Sequence, residues 1–182
     1  MVTKKPFSAL KMAYISLGAV LIALCSWISV PATVPFTLQT FAVLLVCDLL
    51  GGSWGLVSVL LYLLLGAVGF PVFSGFSGGL GHLLGMTGGY ILGFVLSALV
   101  MALMQRLLPR RRVFTLLSMA LGLLACYAAG SVWFMQVYTQ TKGAISLGAV
   151  LSICVVPYLI PDAIKIVLAC LISERLRAAL HL

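Results

Sequence analysis

Long apolar runs, punctuated by glycine, proline and arginine, set the pattern of this chain. Six of them read as helices that cross a bilayer, which takes about 20 apolar residues. The first covers roughly 10–30 and stops at "VPATVP". The second covers 36–50 and ends at Asp48 and "GGSWG", and the third covers 54–70 and ends at "FPVF". The fourth, 88–107, ends at "RLLPRRR"; the fifth covers 113–139 and the sixth 161–180. A glycine-rich stretch, "SGFSGGLGHLLGMTGG", separates the third from the fourth. The expectation is an all-α integral membrane protein with six transmembrane helices in one bundle, a single domain over 1–182. The pattern contains no soluble domain, long linker or internal repeat.

Two places allow another reading. The N-terminal run resembles a signal peptide, but it is longer than a typical apolar core of one and no A-x-A site follows, so it is read as a retained first helix. The segment 144–160 is read either as an additional span, giving seven, or as a short helix lying at the outer surface. Charge favours six. With the N-terminus inside, Lys4, Lys5, Lys11, Arg106, Arg110, Arg111, Arg112, Arg175 and Arg177 all fall on the cytoplasmic side, nine of the eleven bases. Only Lys142 lies outside, and Lys165 falls within a span. Seven spans would move Arg175 and Arg177 to the wrong side.

Composition agrees. The chain is 63% hydrophobic and 8% charged, whereas soluble domains are nearer half apolar and about a quarter charged. A net charge of +8 in a soluble protein would suggest nucleic acid, but here the bases sit beside apolar segments and read as topology signals. The five cysteines, Cys25, Cys47, Cys126, Cys154 and Cys170, are scattered singly and read as small packing residues. No GxxxxGK[ST] stretch exists to hold ATP, so any energised transport needs a partner.

Against this apolar background, "VVPYLIPDAIKIVLA" stands out. The chain has three acidic residues, Asp48, Asp162 and Glu174, and one of them is placed three positions before Lys165. Pro161 suits a first helical position, and an acid in the first turn suits the positive end of the helix dipole. Residues at i and i+3 share a face. Each charge would cost roughly 2.5–3.5 kcal/mol if it met lipid at mid-depth, so the pair should face the protein interior or an outward-opening cavity. Two readings stay open: a self-satisfying ion pair that caps the helix, and a polar anchor for a ligand that offers both donors and acceptors.

Other segments carry similar pairs of readings. Residues 69–89 hold eight of the eighteen glycines and form either a plain outer loop or a wall of a binding site, with Phe70, Phe73, Phe76 and Tyr90 as apolar lining. "VPFTLQTF" places Thr37, Gln39 and Thr40 level with Asp162, either bonded to neighbouring helices or facing a ligand. Ala19 and Ala23 have small-xxx-small spacing and serve either internal packing or docking of another subunit. "GFSGG" contains Ser77 in a G-x-S-x-G pattern, with His82 nearby and His181 at the opposite face. That pattern needs a strand–turn–helix to mean a nucleophile, and an intramembrane hydrolase is the distant alternative.

Taken together, "VPFTLQTFAVLL", "SVLLYLLLGAVGFPVFSGFSGGLGHLLGMTGGYILGF" and "PYLIPDAIKIVLA" resemble the BioY family, the biotin-specific substrate-binding (S) components of energy-coupling-factor (ECF) vitamin transporters. The resemblance implies high-affinity binding of biotin near the outer face. It also implies a multi-pass protein of the bacterial cytoplasmic membrane with both termini cytoplasmic. Its partners would be a transmembrane coupling subunit and two ATPase subunits that use ATP, and the chain itself would hold no cofactor. It places Asp162 and Lys165 in the biotin pocket, with Tyr90, Gln39, Thr37, Phe36, Ser77, Gly78, Gly79 and Gly89 around them, and assigns Ala19 and Ala23 to docking. An S component for a different small vitamin is the nearer alternative, since a scaffold does not fix its ligand.

Overall fold

The computed structural model describes residues 9–180. A long helix α1 (Ala9–Trp27) leads into an antiparallel hairpin, β1 (Ser29–Val30) and β2 (Phe36–Thr37), with Ser29 opposite Thr37 and Val30 opposite Phe36. Then follow α2 (Gln39–Leu49), α3 (Gly52–Val68), the short α4 (Leu80–Leu84), α5 (Gly88–Leu107), α6 (Arg112–Lys142), α7 (Leu147–Cys154) and α8 (Leu159–Leu180). Tight 3-10 turns occupy Ser74–Phe76 and Val156–Tyr158. Lys4, Lys5 and His181 lie outside the described residues.

The helical pattern was legible, but its boundaries shift where local chemistry competes. The second helix starts at Gln39, not at residue 36, because Phe36 and Thr37 pair with β1. It has 11 residues, about 16 Å, roughly half a bilayer core. The fifth expected helix runs on to Lys142 and stops at Gly143, whose φ of 103° is left-handed. The last helix begins two residues before Pro161, at Leu159. Pro161 is then the third helical residue, still within the first turn, where no N–H is needed for an intrahelical bond. The eight residues of α7 span only about 12 Å, too short to cross a bilayer alone.

Four segments are long and apolar enough to cross a membrane: Ala9–Trp27, Gly88–Leu107, Arg112–Lys142 and Leu147–Ala179, the last interrupted by the 3-10 turn. Two shorter apolar helices, Gln39–Leu49 and Gly52–Val68, complete the bundle. Large apolar side chains such as Leu17, Leu64, Ile160, Ile164 and Val167 point outward, while Ser26, Ser58, Ser97, Ser118, Ser131 and Ser173 are buried between helices. Small hydroxyl residues let helix backbones approach and find partners, which drives association where lipid offers no hydrophobic gain.

One end of the bundle gathers Lys11, Arg106, Arg110, Arg111, Arg112, Arg175 and Arg177, at the start of α1 and α6 and the end of α5 and α8. There Asp48 accepts from Arg177, from Ser173 Oγ at 2.6 Å and from Gln105 Nε2 at 3.3 Å, while Gln105 Oε1 accepts the Gly52 N–H at 2.7 Å. Arg112 and Glu174 pair at 2.6 Å. The same Gly52 is where α3 meets α5 most closely. A Cβ there would lie 2.1 Å from Ala102 Cα, with no flexible side chain to yield.

Overpacking of this kind costs about 1–3 kcal/mol. Gly52→Ala is therefore expected to lower the melting temperature of the detergent-purified protein by several degrees. Gly81→Ala, where a Cβ meets open space, is expected to melt like the wild type. Parallel thermal unfolding followed by size exclusion checks this; equal melting of all three would refute the close approach.

Candidate substrate-binding site

At the end of the bundle opposite the bases, β2, α2, α5, α6 and α8 converge on one cavity. Its walls include Thr37, Gln39, Tyr90, Tyr127, Asp162 and Lys165. It encloses about 60 Å³.

The polar centre is the pair on the first turns of α8. Asp162 and Lys165 are 3% and 5% exposed. Lys165 Nζ donates to Asp162 Oδ1 at 2.7 Å and to the Thr37 carbonyl at 2.7 Å, and it lies 4.1 Å from the centre of the Phe36 ring. The second carboxylate oxygen accepts from the Tyr127 hydroxyl of α6. One ion pair therefore ties three elements: the hairpin, α6 and α8. An ammonium has three donors and a carboxylate about four acceptor sites; here two donors and two acceptor sites are used within the chain. The remainder is capacity for a ligand.

Around this centre the polar groups hold one another in place. Thr37 Oγ1 accepts the Gln39 N–H at 3.2 Å, and Gln39 Nε2 donates to the Tyr62 hydroxyl at 2.7 Å. The Tyr90 hydroxyl pairs with Ser131 Oγ at 3.2 Å. Gly130 makes room for Tyr90, since a Cβ there would stand 2.1 Å from the ring. Tyr158 stacks on Phe36 with centroids 6.2 Å apart and donates to the Val34 carbonyl, tying the hairpin loop to the turn before α8. Apolar wall comes from Ile91, Phe94 and Leu123.

Of the residues expected from the sequence, the structure brings Asp162, Lys165, Tyr90, Gln39 and Thr37 together in the wall. Phe36 stands behind Lys165 and does not border the cavity. Ser77, Gly78, Gly79 and Gly89 do not border it either. Ser77 Oγ donates to the Ser74 carbonyl, and the Gly79 N–H donates to Gly66 O at 2.7 Å. Gly78 sits against the Phe70 carbonyl and Gly89 against Trp133, so these positions serve chain packing. From the glycine-rich segment it is Ser74 and Thr87 that reach the cavity. Ala19 and Ala23 are 2% and 8% exposed, on the inward side of α1, so in this chain their small size serves internal packing.

The hydrolase alternative finds no support in the geometry. Among the described residues no hydrogen bond joins Ser77 to His82. The His82 ring stacks on Phe73 with centroids 5.4 Å apart, and burial lowers its pKa.

Tyr127 and Tyr158 were missed from sequence. A signal was available for the first: a phenol in the middle of a spanning helix needs a partner, and the chain offers few acids. For the second, no local pattern distinguishes the tyrosine of "VVPYLIPD" from an interfacial anchor.

The BioY family model matches residues 1–182. The chain is 41% identical over 172 residues to a probable biotin transporter BioY of Pyrococcus horikoshii, covering 92% of this chain and 98% of that protein. It is 43% identical over 161 residues to the biotin transporter BioY of Thermotoga maritima, covering 86% and 89%. The fold matches the 2.1 Å crystal structure of the S-component for biotin from an ECF-type ABC transporter, with TM-score 0.81, 24% identity and coverage of 93% and 91% of the two chains. By sequence over its full length and by the fold of its described residues, this chain belongs to the BioY family.

Proposed function

We propose that this chain is the membrane-embedded biotin-binding subunit of an ECF-type vitamin uptake transporter and has no catalytic role of its own. The observation that carries the reading is the buried Asp162–Lys165 pair, which borders a largely apolar cavity and keeps donor and acceptor capacity unspent. Biotin's ureido group has one strong acceptor oxygen and two N–H donors. The third Lys165 N–H meets the oxygen, and the free lone pairs of Asp162 meet an N–H. The bicyclic ring lies against Ile91, Phe94 and Leu123, and Ser74 and Thr87 are the hydroxyl residues available to the valerate carboxylate. A mostly apolar site with a few placed polar groups is the usual design for small ligands.

The cavity's 60 Å³ is below the roughly 300 Å³ at which ligand pockets begin. Binding therefore moves a wall. The hairpin loop is the candidate, because the Tyr158–Val34 hydrogen bond ties it to the turn before α8.

In this reading α1, α2 together with the β2 strand that leads into it, α3, α5, α6 and α8 make six crossings, both termini are cytoplasmic, and the membrane is the bacterial cytoplasmic one. The basic end of the bundle supports that orientation through the positive-inside bias. A coupling subunit and two ATPases complete the transporter. Docking through Ala19 and Ala23 requires α1 to repack, since both now face inward.

Isothermal titration of the detergent-purified protein tests the ligand. Biotin is expected to bind, and an analogue with an imino group in place of the ureido oxygen is expected to bind more weakly. Hydrogen bonds to charged groups contribute about 1.5–3 kcal/mol, so Asp162→Asn and Lys165→Ala should each weaken binding at least about tenfold. The double variant Asp162→Asn with Lys165→Gln leaves neither charge unpaired. It should elute as a single species and still bind poorly; near-native affinity there would show the pair to be a structural cap. Tighter binding of another vitamin than of biotin would redirect the ligand assignment.

Single cysteines at Gly81 and Lys142 test the orientation. Both are expected to react with an impermeant maleimide in intact cells, and labelling only after permeabilisation would invert the topology.

A further inference from the structure

The basic end carries a second cavity, larger than the first and unrelated to the ion pair of α8. It is a groove of about 280 Å³ between the first turns of α1, the α2–α3 junction and the α5–α6 link. Its floor is apolar, formed by Ile15, Leu49 and Leu50, with Tyr14 and Trp54 beside it. Two cations border it, Lys11 and Arg110. Lys11 Nζ stands 5.2 Å from the centre of a Trp54 ring, and the Arg110 guanidinium lies beside Gly51, 3.5 Å from where a Cβ there would stand.

Among the described residues neither cation forms an ion pair with an acidic side chain. The chain has only three acidic side chains, and each is engaged elsewhere: Asp48 with Arg177, Asp162 with Lys165 and Glu174 with Arg112. Two positive charges therefore face one groove, and among the described residues no acidic side chain pairs with either. Charge complementarity calls for an anion, and the apolar floor calls for hydrocarbon next to it. Tyrosine and tryptophan at the helix ends mark headgroup depth, and basic pockets between helices on the cytoplasmic side suit acidic headgroups.

We propose that this groove binds an anionic phospholipid of the cytoplasmic leaflet, its phosphate between Lys11 and Arg110 and its upper acyl carbons on Leu49 and Leu50. A free inorganic anion would leave the apolar floor uncovered. The site does not depend on the ligand assignment at the other end of the bundle.

Native mass spectrometry of the whole detergent-purified chain, supplied with phosphatidylglycerol or phosphatidylcholine, tests this. Wild type is expected to retain one phosphatidylglycerol at detergent levels that strip phosphatidylcholine. Lys11→Gln with Arg110→Gln should lower that occupancy at least about tenfold. Arg111→Gln, an exposed base at the same end and not part of the groove, should leave it unchanged. A thermal melt of each variant with phosphatidylglycerol, read as the lipid-induced rise in melting temperature, gives the same ranking independently of ionisation. Excess inorganic phosphate should not displace the lipid. Equal retention of the two lipids, or equal phosphatidylglycerol occupancy in wild type and the double variant, would overturn the proposal. So would displacement by phosphate alone, which would make the groove a simple anion site. If the double variant keeps its lipid but loses association with a coupling subunit, the groove is a protein-docking surface and the proposal fails.

Discussion

The buried pair of Asp162 and Lys165 constrains the half of this molecule opposite its basic end. Two charges removed from water are tolerated only when their remaining hydrogen-bonding groups are met, and breaking one member of such a pair costs about 3–5 kcal/mol. The chain meets that demand with Tyr127 of α6 and the Thr37 carbonyl of β2. The hairpin and two helices are therefore held at fixed positions by one side-chain network. A pair satisfied from two sides in this way still leaves lone pairs and one ammonium N–H without a hydrogen-bonding partner in the described residues.

The opposite end follows the same rule with different partners. Asp48 is 2% exposed and is held by Arg177, Ser173 and Gln105. Since Asp48 is on α2 and Ser173 and Arg177 are on α8, α8 is tied at both ends, by Lys165 to Thr37 of the hairpin that leads into α2 and by Arg177 to Asp48 of α2. Elsewhere in the bundle glycine and serine bring backbones together, as at Gly52 of α3 against Ala102 of α5, and the larger apolar residues are left to face lipid.

The loop between β1 and β2 is attached to the turn before α8 through Tyr158, by one hydrogen bond and one ring stack. Its residues Val34 and Pro35 border the cavity, so this attachment fixes part of the cavity wall.

Apolar run length, glycine and proline breaks and the bias of the bases were enough to establish a helical membrane protein, because a bilayer imposes a minimum span and a charge asymmetry that local sequence records. The placement of Asp162 three residues before Lys165 was enough to single out the polar centre, since i and i+3 share a helix face whatever the fold. Tertiary structure alone decided the rest. It placed Tyr127 on the carboxylate, put Ser74 and Thr87 in the wall in place of Ser77 and its neighbouring glycines, and turned Ala19 and Ala23 inward. It also shortened the second helix, because pairing of Phe36 with Val30 competes with helix formation. The hairpin is a short-range competition between strand and helix, but the others depend on which residues meet across distant parts of the chain or on the rotation of one helix against another, and neither quantity is written in a local pattern.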